Sequence, residues 1–148
     1  MLDYQISSDK IHATLVVVAD KGVLLVGKSG TGKSDLALRL IEQGKAVLVA
    51  DDVVCIKKDC GHLYGRSDEK IAGMLEIYGL GIVQYPYQEE AIISLVAELV
   101  EAPEDVDRFP QKCTESILGL EIPKIALYAK HSSAVEKLCV GLRLYGSV

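Results

Sequence analysis

The sequence predicts an α/β fold in which a mixed β-sheet is flanked by helices. Short apolar runs rich in Val and Leu, such as Thr14–Ala19 and Val23–Val26, have the composition of buried strands. Apolar residues at helical spacing follow the second run and stop before Gly44, where a C-cap glycine would end a helix. Strand-like runs outnumber helical ones, so we expect a mixed sheet rather than strict alternation of strands and helices.

The remaining elements follow along the 148 residues without a linker or repeat, so we expect one domain over residues 1–148. The first helix covers Leu36–Gln43, and a turn at Asp20–Gly22 separates the first two strands. Further strands are predicted at Val47–Ala50, Val53–Lys57, Leu75–Gly81, Ala91–Val100 and Ile125–Leu127. The strand at Val53–Lys57 should run into a turn at Gly61–Gly65, and two glycines interrupt the strand at Leu75–Gly81. Residues 103–111 are polar and predict a loop. Ser133 and Glu136 have capping-box spacing before a closing helix whose apolar stripe should pack on the core.

Composition excludes several classes of function. A net charge of −5 argues against a nucleic-acid-binding surface, and no apolar run approaches the ~18 residues of a membrane helix. Met1–Lys10 has no apolar stretch typical of a secretory signal, which favours a cytoplasmic protein with reduced thiols. Cys55, Cys60 and His62 lack a second ligand pair, so we interpret the cysteines as buried and the histidine as exposed, rather than as zinc ligands.

The strongest motif lies between the second predicted strand and the first helix. It reads Gly27-Lys28-Ser29-Gly30-Thr31-Gly32-Lys33-Ser34 and matches the pattern G-x-x-x-x-G-K-[ST] in full. This pattern is the phosphate-binding P-loop, so we expect a P-loop-containing mixed β-sheet with flanking helices. The glycines allow successive backbone N–H groups to turn toward phosphate oxygens at a helix N-terminus. Lys33 would then lie against the β- and γ-phosphate oxygens of a bound nucleotide, and the Ser34 hydroxyl would be a ligand of Mg²⁺.

Four further positions are candidates for chemistry. Asp51 and Asp52 end an apolar strand, where an acidic residue of a P-loop protein can hold a metal ion or accept a proton. If the strand continues, at most one of the two faces the nucleotide; if it ends there, both can turn toward it. His12 precedes the first strand, and Glu76 stands in a segment that is otherwise mostly apolar.

The chain resembles the catalytic domain of the HPr kinase/phosphorylase family, which acts on a serine of the phosphocarrier protein HPr. The resemblance runs through Ile11-His12, the loop Gly27–Ser34, the helix Leu36–Gln43, Ala50-Asp51-Asp52 and the segment Leu75–Ile82, and it continues through Asp107-Arg108, Ile117–Gly119 and Ile122-Pro123. It covers about four-fifths of the chain and implies the fold of that catalytic domain. Family members usually carry an additional N-terminal domain, so the resemblance is to a short, catalytic-domain-only member.

Residue by residue, the resemblance implies a complete phosphotransfer site. Lys33 matches the P-loop lysine, and Ser34 and Glu76 match the Mg²⁺ ligands. His12 and the pair Asp51 and Asp52 match the proton-handling residues, with either aspartate as the base. Arg108 matches the catalytic arginine. The resemblance also implies ATP as donor, an HPr-type phosphocarrier protein as substrate, and a homo-oligomer, a hexamer in the family.

Two departures from the family pattern bear on the reaction. Tyr78 replaces the usual arginine of the signature, and Leu127–Ser133 replaces a Pro-, Gly- and Arg-rich segment tied to dephosphorylation. Both changes remove positive charge, which favours the kinase over the phosphorylase reaction. Two alternatives use the same loop: a small-molecule kinase or nucleotidase, and a nucleotide-binding regulatory module without turnover.

Overall fold

The computed structural model describes residues 10–147; positions 1–9, on which the expectation of no secretory signal rests, and residue 148 lie outside this range. Eleven strands, two α-helices and two short 3₁₀ turns follow one another in the described part of the chain. The strands are β1 (Lys10–His12), β2 (Thr14–Val18), β3 (Lys21–Val26), β4 (Ala46–Ala50), β5 (Val53–Asp59), β6 (His62–Ser67), β7 (Met74–Ile77), β8 (Gly81–Gln84), β9 (Glu90–Leu99), β10 (Cys113–Ile117) and β11 (Leu120–Leu127). The helices are α1 (Lys33–Glu42) and α2 (Ala134–Tyr145), and the 3₁₀ turns are Glu69–Ile71 and Pro103–Asp105.

Nine of the strands form one mixed sheet, which confirms the predicted class. Its order is β1-β5-β6-β9-β3-β2-β4, and β11 pairs with β9 and with β10. Strand β3 is parallel to β9, and β9 is parallel to β11, while β2 is antiparallel to both β3 and β4. The loop after β3 therefore emerges at the carboxyl ends of parallel strands, where ligands of open α/β sheets bind. Strands β7 and β8 form a separate two-stranded hairpin.

Both faces of the central strands are buried, which explains why their sequences are continuously apolar. Val16 and Leu25 belong to a cluster that includes the buried faces of α1 and α2, whereas Leu15 and Leu24 belong to a second cluster with the outer strands. Successive side chains of a strand point to opposite faces, so each central strand contributes to both clusters. The apolar stripe of α2 is buried, as predicted.

Several local predictions were wrong. The turn between β2 and β3 is formed by Ala19 and Asp20, both at positive φ, one residue earlier than predicted. The segment Leu75–Gly81 is a hairpin rather than one strand, and much of the Gly61–Gly65 segment belongs to β6. Strand β11 begins five residues before the predicted position, and β10 was not predicted. Helix α2 forms, but the side chain of its N-cap makes no capping hydrogen bond.

Candidate active site

The loop from Gly27 to Gly32 connects β3 to α1 and depends on glycine at both ends. Gly27 has φ +146°, and a Cβ atom there would lie 2.7 Å from the carbonyl oxygen of Leu99. Gly32 precedes α1 in the left-handed region at φ +97°. Between them, Thr31 donates both its amide and its hydroxyl to the carbonyl of Lys28, at 3.2 and 2.7 Å. These two hydrogen bonds close the loop just before the N-terminus of α1, and Ser29 and Gly30 remain exposed.

Lys33 is the first residue of α1 and folds back over this loop. Its Nζ donates to the carbonyl oxygen of Gly27 at 2.8 Å and to that of Lys28 at 3.3 Å. Burial lowers the pKa of Lys33 below its usual value, and the nearby carboxylates of Asp51 and Asp52 act in the opposite direction. The ammonium group is thus held at the loop by carbonyl oxygens.

The two aspartates occupy different environments, because β4 ends at Ala50 and the chain turns sharply. Asp51 is buried, and its Oδ1 accepts hydrogen bonds from the hydroxyls of Thr14 at 2.8 Å and Ser34 at 2.9 Å. Asp52 has φ +71°, and its side chain is 70% exposed. The Val53 amide donates to the Asp51 carbonyl across this turn. Both side chains turn toward the loop, so the second of the two geometries considered from sequence is the one observed.

His12 lies at the end of β1 and faces Asp52. Its Nε2 is 2.7 Å from Oδ1 of Asp52. The His12 side chain is about half exposed, and the Asp52 side chain is more exposed than that. Strand β1 pairs with β5, and the amide of Ala13 donates to the carbonyl oxygen of Asp52 at 3.2 Å. Backbone pairing therefore holds the imidazole and the carboxylate together at the surface.

These groups line one cavity of about 490 Å³ between the loop, the aspartate turn and the β7–β8 hairpin. Among the residues predicted from sequence, those in the lining are His12, Ser29, Gly30, Gly32, Lys33, Ser34, Asp51, Asp52 and Glu76. Gly27, Lys28 and Thr31 of the same loop are not part of this lining. Hydroxyl and carboxylate oxygens therefore face a glycine-rich loop and a lysine across a single open space.

Arg108 is not brought to this cavity. It is exposed in the loop after the Pro103–Asp105 turn, with its guanidinium carbon 5.7 Å from the centre of the Phe109 ring. The residues on both sides of it line a second cavity, of about 760 Å³, that shares no lining residue with the first.

Three polar residues at or beside the site were missed from sequence: Thr14 and Asp35 line the cavity, and Arg39 lies outside its lining. Thr14 was grouped with an apolar strand, although a hydroxyl opening a buried run is the signal that could have identified it. Arg39 of α1 donates to the carbonyl oxygens of Ala129 at 2.6 Å and His131 at 3.3 Å. A Cβ atom at Gly32 would lie 3.4 Å from Ala129 Cβ, so Arg39 holds the segment after β11 against the loop.

The cysteines are free thiols and do not suggest a metal site. Cys60 is exposed at the β5–β6 turn and Cys55 is half-buried, so the expectation of buried cysteines was wrong. Within residues 10–147, no group of three or more His, Cys, Asp or Glu side chains could hold a metal ion. In the same range, neither helix has the length and apolarity needed to cross a membrane.

A strand, a G-x-x-x-x-G-K-S loop and a helix, beside an acidic residue at a strand end, are the architecture of P-loop nucleotide-binding proteins. Comparison with known families narrows this class to a kinase-type phosphotransferase family. The chain belongs to the family described as the HPr serine kinase C-terminal domain, whose model matches residues 5–140.

Individual relatives agree with this assignment. The chain is 38% identical over 127 residues to the HPr kinase/phosphorylase of Chlorobium phaeobacteroides, a match that covers 78% of this chain and 37% of that protein. The corresponding protein of Clostridium tetani is 38% identical over 128 residues, which cover 80% of this chain and 42% of the relative. The HPr(Ser) kinase/phosphatase of Coxiella burnetii has a similar structure, with a TM-score of 0.81 and 30% identity over 91% of this chain and 94% of the other. The chain spans about two-fifths of the length of the curated relatives.

Proposed function

We propose that the protein is an ATP- and Mg²⁺-dependent protein serine kinase that phosphorylates an HPr-type phosphocarrier protein. The observation that carries the proposal is the convergence of Lys33, Ser34 and the Asp52–His12 pair on one cavity. A phosphate-binding loop and an accessible carboxylate are the two parts that transfer to a hydroxyl requires.

The donor set of the cavity fits a nucleotide with Mg²⁺. The Ser34 hydroxyl and the Glu76 carboxylate are oxygen ligands of the kind that Mg²⁺ prefers, and both line the cavity. When bound, the ion neutralises charge on the β- and γ-phosphate oxygens. Asp51 lies behind Ser34 and orients its hydroxyl through the 2.9 Å hydrogen bond.

The environments of the two aspartates assign their roles in this proposal. Asp52 is the base, because its carboxylate is exposed and can reach the hydroxyl of a protein substrate, whereas Asp51 is buried with Oδ1 engaged twice. Asp52 accepts the proton as the serine oxygen forms its bond to the γ-phosphorus. The bond from that phosphorus to the bridging oxygen breaks, and ADP leaves with the electron pair. His12 fixes the orientation of the Asp52 carboxylate.

Lys33 supplies positive charge to the transferred group, and the loop amides supply hydrogen-bond donors. The ammonium exchanges its two carbonyl partners for phosphate oxygens, which are stronger acceptors. The proposal keeps Arg108 as the residue that matches the family's catalytic arginine, although its guanidinium lies outside the cavity of this chain.

The proposal favours the kinase reaction over phosphoserine dephosphorylation. Tyr78 is uncharged where the family has arginine, and the segment Leu127–Ser133 lacks arginine. Because the chain belongs to this family, the proposal also includes a cytoplasmic location and a homo-oligomer, for which a hexamer is the expected assembly.

The test is transfer of labelled γ-phosphate from ATP, with Mg²⁺, to a purified HPr-type protein and to its serine-to-alanine variant. We expect label on the wild-type acceptor alone, its loss in Lys33→Ala, and a reduction of about 10²- to 10⁴-fold in Asp52→Asn. Asp59→Asn, an exposed carboxylate at the end of β5, is the matched control and should retain activity. Transfer that persists in Lys33→Ala would contradict the assignment.

Two other outcomes would support the alternative functions. Phosphate release or transfer without a protein acceptor would support the small-molecule alternative, and nucleotide binding without turnover would support a regulatory module.

A further inference from the structure

A third cavity, of about 480 Å³, adjoins the active-site cavity along the first two turns of α1. Ser34, Asp35 and Glu76 line both cavities, so the two spaces adjoin at these residues. The larger cavity near Arg108 shares no lining residue with the active-site cavity. A ligand whose phosphates lie at the P-loop can therefore extend past these shared residues into the adjoining space.

The walls of the adjoining cavity are suited to a flat, partly apolar group. Leu38 contributes apolar surface from α1, and Ile77 and Tyr78 contribute it from the β7–β8 hairpin. Asp35 adds an exposed carboxylate, which can accept hydrogen bonds from hydroxyl or amino groups.

Tyr78 presents an aromatic ring at the edge of this cavity. Its side chain is fully exposed at the tip of the hairpin, whereas Leu75 of the same hairpin is buried in the core beside α1. The tip is closed by a hydrogen bond from the Leu80 amide to the Ile77 carbonyl. The hairpin is thus anchored at one end and presents an aromatic ring beside the cavity at the other.

We propose that this adjoining cavity is the nucleoside subsite of the enzyme, and that Tyr78 stacks on the base of the bound nucleotide. The inference rests on the proposed function, since it extends a nucleotide whose phosphates occupy the P-loop. Stacking on an aromatic ring is available to every base, so the subsite takes nucleoside triphosphates with a preference set by stacking area, purines above pyrimidines. Asp35 is placed to accept a hydrogen bond from a ribose hydroxyl.

Binding of ATP and of inorganic tripolyphosphate, each with Mg²⁺, separates this subsite from the P-loop. We expect wild-type protein to bind both, with ATP the tighter ligand. Tyr78→Ala should weaken ATP binding by about 5- to 150-fold and leave tripolyphosphate binding unchanged, because only ATP carries a base. Leu80→Ala is the matched control, since Leu80 is exposed on the same hairpin but does not line the cavity.

The absence of tryptophan from the sequence provides a direct spectroscopic test. Tyr78→Trp introduces a single indole, whose emission should be quenched by ATP and not by tripolyphosphate, whereas Leu80→Trp should respond to neither ligand.

Three outcomes would overturn the inference. If Tyr78→Ala and the wild type bind ATP with equal affinity, the proposed subsite is rejected and the kinase proposal still stands. Unchanged ATP affinity with a raised KM for the acceptor protein would assign the hairpin to the acceptor. Failure of wild-type protein to bind either ligand would reject the proposed function and the subsite together.

Discussion

The Thr14–Asp51 hydrogen bond offers a quantitative test of how the site is held together. Thr14 is 1% exposed, and its hydroxyl donates to a buried carboxylate at 2.8 Å. Replacing Thr14 with Val keeps the shape of the side chain but places a methyl group against Asp51. A hydrogen bond to a charged group contributes about 1.5–3 kcal/mol, so the free energy of unfolding should fall by that amount. For a chain of this length the melting temperature should fall by roughly 3–12 °C.

Urea denaturation of Thr14→Val and Thr14→Ser distinguishes the hydrogen bond from packing. Thr14→Ser keeps the hydroxyl and loses one buried methyl group, at a cost of about 1 kcal/mol. In an Asp51→Ala background the effect of Thr14→Val should largely disappear, because no carboxylate remains to be satisfied. A Thr14→Val variant as stable as Thr14→Ser, or a coupling below about 0.5 kcal/mol, would refute this account of the buried aspartate.

Two further predictions concern groups around the P-loop. Arg39→Met removes both guanidinium hydrogen bonds to the segment after β11, so amide hydrogen exchange at residues 128–132 should accelerate, and unchanged protection would contradict the anchoring role. For Lys33, burial lowers the folded-state pKa, so the unfolded chain binds more protons between that lowered pKa and 10.5. Wild-type stability relative to Lys33→Met should therefore rise with pH across this window, and an alkaline series of urea denaturations measures it; a flat difference would contradict the shift.

The nucleotide-binding half of the fold was predictable because its signals are local. Strands β2, β3 and β4 are largely apolar, and α1 follows a motif in which the backbone conformation at Gly27 and Gly32 favours glycine. The same motif supplied five of the fourteen residues that line the cavity, namely Ser29, Gly30, Gly32, Lys33 and Ser34.

The second half was less predictable because its strands depend on distant partners. Pro123 interrupts the sequence pattern of β11, which is stabilised by antiparallel pairing with β10 and by parallel pairing with β9. Strand β10 is polar and largely exposed, so its sequence resembles a loop. Arg39 could not be identified from sequence, since its carbonyl partners lie about 90 positions away. The different environments of Asp51 and Asp52 likewise depend on a backbone turn that neither residue type specifies.

The position of β9 in the chain has a consequence for folding. Gly22 of β3 pairs with Ile93, about 70 positions later, so one edge of β3 stays open until β9 is available. Parallel pairing over such a separation is slow, and an unpaired apolar strand edge invites association with other chains. During synthesis, the strand that carries the P-loop must therefore wait for residues up to Leu99, whose carbonyl oxygen lies so close to Gly27 that a Cβ atom would not fit there. Nascent chains that stall before β9 should be the species most prone to aggregate.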